Sequence, residues 1–172
     1  QRLLKNMQNI KGHVNNHVTL YIEGMGFLGV GTFKTPDLVW KKAKFTGAAG
    51  EYERVYGAVE QLKASATIEV TNPIIYSSFA NMDNASLTFA TAINKENQDV
   101  TAERNVIKGS FDIKIDERKN GEIYKISLEL SPQYWFQEVG GIPQVEIDML
   151  GNIVKVQGRD ILEKTRKALE LF

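Results

Sequence analysis

The chain has 172 residues, no cysteine, and 21 lysines and arginines against 21 aspartates and glutamates. Zero formal charge leaves no global basic excess for nucleic acid and no acidic excess for a disordered tail, while the missing cysteines exclude disulfides, thiol chemistry and thiolate metal sites, which suits a reducing cytoplasm. The length fits one domain with a sizeable core; no apolar run approaches the ~20 residues of a membrane helix, and no basic-then-apolar signal segment opens the sequence. Gln1 in the first position reads as a processed or trimmed start.

In chain order, an Asn-rich arm of about residues 1–17 comes first. His13 and His17 stand four apart, but Val14-Asn15-Asn16 makes a poor helix and no third ligand is evident, so the pair reads as solvated or interfacial, not metal-binding. Val18, Leu20 and Ile22 then alternate with Thr19, Tyr21 and Glu23, a strand with one buried face. Gly24-Met25-Gly26-Phe27-Leu28-Gly29 spells G-x-G-x-x-G directly after it. A dinucleotide site needs a helix opening there to hold pyrophosphate; instead alternation continues to Phe33 and reaches Thr35-Pro36, which predicts a glycine-rich hairpin between two strands.

Trp40 and Phe45 flank Lys41, Lys42 and Lys44, a thin case for a stacking and phosphate-binding face in a neutral chain. Residues 46–57 fit neither period and predict an extended loop. Leu62, Ala64, Ala66, Ile68 and Val70 restore the period of two, and Asn72-Pro73 reads as the cap and first turn of a short helix with Ile75, Phe79 and Met82 on one side. Phe111, Ile113 and Ile115, then Tyr124, Ile126, Leu128 and Leu130, form two alternating runs around Asn120-Gly121, the dipeptide of a tight antiparallel hairpin. Three rings follow in a row, Tyr134, Trp135 and Phe136, and since strand side chains alternate, at least one must leave the core, a hint of a subunit interface.

Val145, Ile147 and Met149 alternate with Glu146 and Asp148, a short strand over 152–156 follows, and Asp160 with Glu163 makes a capping-box-like start to a helix bearing Ile161, Leu162, Thr165, Ala168, Leu169 and Phe172 on its apolar side. About seven strands and two short helices, one of them C-terminal, predict a mainly β protein, an antiparallel sandwich or barrel in one domain over 1–172. No serine sits in a nucleophile elbow and two histidines give little material for a general base. Asp112, Asp116, Glu129, Glu146 and Asp148 could pair for acid–base work, but their alternation with lysines favours solvated or interfacial charge ladders. Neither an enzyme, a cofactor nor a metal is expected.

The ordered landmarks Leu4 to Met7, Thr35 to Glu53 with its Gly-Ala-Ala-Gly loop, Leu62 to Val70, and the closing Val145 to Phe172 resemble the major tail tube protein family of contractile-tailed bacteriophages, which includes R-type bacteriocin tubes. The resemblance implies a tail-tube-like β-barrel whose subunits form homo-hexameric rings that stack into a hollow conduit for DNA after sheath contraction. It implies tail sheath, baseplate or tail-initiator and terminator proteins as partners, passage of DNA through the lumen, no membrane insertion, and a place in the virion tail after assembly in the host cytoplasm. By the same resemblance the N-terminal arm and the 46–57 loop contact the next ring, and Trp40, Phe45, Tyr52, Tyr56, Tyr134, Trp135 and Phe136 are the candidate inter-subunit contacts. Two alternatives stand beside it: the tube of a bacteriocin or contractile injection system, and a monomeric carbohydrate-binding β-domain using Trp40 or the Tyr134 to Phe136 rings as a platform.

Overall fold

The computed structural model describes residues 13–22, 26–70, 73–95 and 100–171. Its strands are β1 (His13–Ile22), β2 (Gly26–Lys34), β3 (Trp40–Gly47), β4 (Gly50–Val59), β5 (Ala64–Val70), β6 (Ala85–Lys95), β7 (Val100–Ile115), β8 (Lys125–Val139), β9 (Ile142–Asp148), β10 (Ile153–Val156) and β11 (Arg159–Asp160). Helix α1 (Ile75–Ala80), followed by a 3-10 turn, and helix α2 (Glu163–Ala168) complete the described elements. The chain is mainly antiparallel β with two short helices, as its period of two predicts. Asn72, expected as a cap, lies outside the described residues, as do the arm before His13 and Phe172.

Hydrogen bonding runs β8–β5–β2–β1–β6–β7, and β7 pairs back onto β8, closing a ring of six strands. Closure removes sheet edges that would otherwise invite pairing with other chains. The long strand β8 serves two sheets: Lys125 to Leu130 pairs with β5, and Tyr134 to Val139 pairs with β9, which carries β10 and β11. Between the halves Gly109 faces Pro132 and Lys108 faces Tyr134, leaving Gln133 as an extra, bulged residue. A bulge reverses which side chains face inward. Gly109 takes φ +153 there, and a Cβ on it would lie 2.4 Å from the Ser131 carbonyl oxygen.

The predicted alternations place the core: Leu20 and Ile22, Leu62, Ala64, Ala66 and Ile68, Phe111, and Ile126, Leu128 and Leu130 are all buried. From the other strands come Leu87, Phe89, Ile107, Val145 and Ile147, with Phe33 stacked on Phe89 at 4.0 Å between ring centres. The described part of the glycine motif, Gly26 to Gly29, lies in β2, where Gly26 pairs with Ile22 of β1. Its last glycine and Gly31 let β5 approach, because a Cβ on Gly31 would sit 1.8 Å from the Thr67 carbonyl oxygen.

Three local expectations need correction. Residues 46–57 are not an extended loop but most of a hairpin, β3 paired with β4 from Trp40 opposite Val59 to Gly47 opposite Gly50. In α1, Ile75 is buried but Phe79 is half exposed, set edge-on to Phe111, and Met82 is in solvent beyond the helix end. Asp160 does not form a capping box: it lies in β11, the residue capping α2 is Leu162, and Glu163 reaches forward to Lys167 at 2.5 Å. No residue of α2 is buried, so its predicted apolar side contributes Ile161 and Leu162 to the core and leaves Leu169 exposed.

Candidate assembly surfaces

The β3–β4 hairpin is two-faced because directly opposed residues share a side. Lys42 opposite Val55, Lys44 opposite Glu53 and Thr46 opposite Glu51 form one face, crossed by a Lys42–Glu53 ion pair at 3.9 Å. Ala43 opposite Arg54 and Phe45 opposite Tyr52 form the other, which Tyr56 extends. Phe45 and Tyr52 stack at 5.7 Å, yet stay 44% and 50% exposed, and Tyr56 is 59% exposed. Only the root is anchored: Val59 is buried, and Trp40 packs half-buried against the core. One face of the hairpin therefore presents aromatic surface that the described residues of its own chain leave exposed.

The three consecutive rings separate by face. Trp135 is 2% exposed and belongs to the core, where its Nε1–H donates to Asn105 Oδ1 at 3.1 Å. Asn105, itself fully buried, donates from Nδ2 to Glu103 Oε1 at 2.8 Å, and Gln137 Nε2 donates to the same oxygen at 3.1 Å. This chain satisfies a buried amide that would otherwise be costly. Tyr134 and Phe136 point the opposite way into an open groove of about 540 Å³ with Tyr21, Val106, Arg104 and Lys108. The Lys108 ammonium lies 5.3 Å from the Tyr134 ring centre. Burial, then the nearby carboxylates of Glu146 and Asp148, push the Tyr134 hydroxyl above its ordinary pKa, which keeps it a neutral hydrogen-bonding group at neutral pH.

Tyr21 was missed as a partner of these rings by sequence reasoning. Its signal was present, since alternation with Leu20 and Ile22 turns it outward, but only barrel closure brings β1 across β6 and β7 to β8. Of the carboxylates weighed for acid–base work, Asp112 stands opposite Glu129, which pairs with Lys114 at 2.6 Å, and Asp148 Oδ1 accepts the backbone N–H of Leu150 and Gly151 in the β9–β10 turn. Among the described residues no three histidines or carboxylates gather as a metal would require, and no helix is long and apolar enough to cross a membrane.

A closed antiparallel barrel with an uncovered aromatic hairpin and an aromatic groove defines a β-barrel protein whose distinctive surfaces are broad faces. Residues 14–169 match the family model described as phage tail tube protein FII, and the chain belongs to that family. It is thus a phage structural protein of the tail tube, a component of the virion tail. No curated protein matches the chain.

Proposed function

We propose that this chain is the repeating subunit of the inner tube of a contractile tail, six copies closing a ring by heterologous contacts and rings stacking into the conduit that delivers DNA after sheath contraction. The observation that carries this beyond family membership is the β3–β4 hairpin, whose Phe45, Tyr52 and Tyr56 form an aromatic surface that the described residues leave exposed, the kind of surface that subunit interfaces cover. In this reading the hairpin reaches a neighbouring subunit, and Tyr134 and Phe136 supply a second contact, with Trp40 steadying the hairpin root. Trp135 supports the groove from inside. Sheath packs outside the tube, initiator and terminator proteins cap its ends, and assembly takes place in the host cytoplasm. The subunit does its work as a wall, without catalysis.

A bacteriocin or injection-system tube shares this architecture, and neighbouring genes for capsid, sheath and baseplate separate the two. A carbohydrate-binding monomer has one observation in its favour, the Tyr21–Tyr134–Phe136 groove, and predicts saturable sugar binding by an isolated chain. Electron microscopy of the purified protein, alone and in its source particles, tests the proposal: sixfold rings or tubes are expected, and localisation of the chain outside the tube would refute it.

A further inference from the structure

The outside of the barrel divides sharply by chemistry. Across β2, β5, the first half of β8 and the last part of β7, registered rows run Lys34, Ser65, Glu129, Asp112, then Thr32, Thr67, Ser127, Lys114, then Val30, Glu69 and Lys125. Ser131 beside Ser110 ends the patch just before the Gln133 bulge. In these rows every residue that β5, β8 and β7 contribute carries a hydroxyl or a charge, and Val30 of β2 is the one apolar member. Past the bulge, the same two long strands carry the rings of Tyr134 and Phe136 outward, with Val106, Arg104 and Lys108 beside them. Covered interfaces concentrate aromatic surface, whereas a face that stays wet does not need it.

The lysines of the patch are held by carboxylates. Lys114 Nζ lies 2.6 Å from Glu129 Oε1, Lys125 lies 3.9 Å from Glu69, and Lys34 lies 3.5 Å from Asp37. The Glu129 hydrogen bond also raises the Lys114 pKa. Such exposed pairs add little stability, but they change what a polyanion meets. Protein–DNA affinity comes largely from cations that neutralise phosphates and release counterions, and opposite charges about 4 Å apart nearly cancel across a Debye length of about 8 Å.

We propose, building on the tube reading, that this hydroxyl-and-charge face lines the channel, and that Glu69 and Glu129 mask Lys125 and Lys114 so that double-stranded DNA slides past without being held. The aromatic half of the barrel then faces protein. The absence of native cysteine makes a direct test available: Ser127→Cys tubes are labelled with a small mercurial and averaged helically. Extra density at the innermost radius is expected, and density at the outer surface or within a subunit interface of intact tubes overturns the lining assignment alone. A second variant, Glu69→Gln with Glu129→Gln, tests the mask by retention of a short duplex DNA on assembled tubes. Retention should rise and then fall with salt, the logarithmic slope steepening by about 1.8 for two released lysines; retention equal to that of unsubstituted tubes overturns the mask. Finding the chain in no tube at all would overturn the tube reading and this assignment with it.

Discussion

Trp135 illustrates how one residue's role depends on a neighbour that looks incidental. Ile126, Leu128 and Leu130 point inward, so unbroken alternation would send Tyr134 and Phe136 into the core and Trp135 out; the extra Gln133 reverses the parity. The sequence revealed that the three rings must split, but not which way, because a bulge is set by pairing with β7. Trp135→Phe removes the donor to Asn105 Oδ1 and leaves a buried acceptor unpaired. The expected cost is about 1–3 kcal/mol, measured as a lowered denaturant midpoint of the unassembled chain. Asp160 is a second such case. The Arg166 guanidinium bonds its carboxylate, with help from the Leu162 N–H, and holds its pKa below the ordinary 3.8. Because the folded-state pKa is depressed, this stabilisation is complete above about pH 3.8 and is lost as pH falls through the folded value. An unfolding series on the acid side of pH 5 should therefore show a shallower decline for Asp160→Asn than for the unsubstituted chain; equal slopes would mean the clamp does not contribute.

Strands were legible wherever one face is buried, since burial writes the period of two into Leu62 to Ile68 and Ile126 to Leu130. The β3–β4 hairpin was not, because beyond its root at Trp40 and Val59 neither face meets the core: Phe45 and Tyr52 lie on one side and Lys44 and Glu53 on the other, so no inward set marks the strands. Its exposure predicts that stability and assembly can be separated. Phe45→Ser combined with Tyr52→Ser removes one exposed cross-strand pair and should move the stability of the isolated subunit by no more than about 1 kcal/mol, while abolishing ring or tube formation in micrographs. A large loss of stability would place those rings in the subunit's own core. Gly31 behaves in the opposite way. Gly31→Ala drives a methyl into the Thr67 carbonyl and parts β2 from β5, with an expected penalty of about 3 kcal/mol or outright failure to fold, read from circular dichroism melting.

Across the whole molecule, sequence landmarks pointed to a tail tube protein, and the family match over residues 14–169 establishes that membership. What they left open was topology, because the barrel is completed by β1 on β6 and β5 on β8, which join residues far apart in the chain, and no local pattern encodes which distant strands pair. Closure is also what sorts the exterior, placing Tyr21 beside Tyr134 and Phe136, and Ser65 beside Glu129. A small barrel with both kinds of face suits a wall that must bind its neighbours and leave its cargo alone. The most direct test is electron microscopy with averaging of the purified chain and of the tail particles that contain it. Sixfold rings, or stacked rings around a hollow channel, are expected, with density for this chain forming the tube wall. A different ring symmetry, or density for the chain outside the tube in intact tails, would contradict the tube reading.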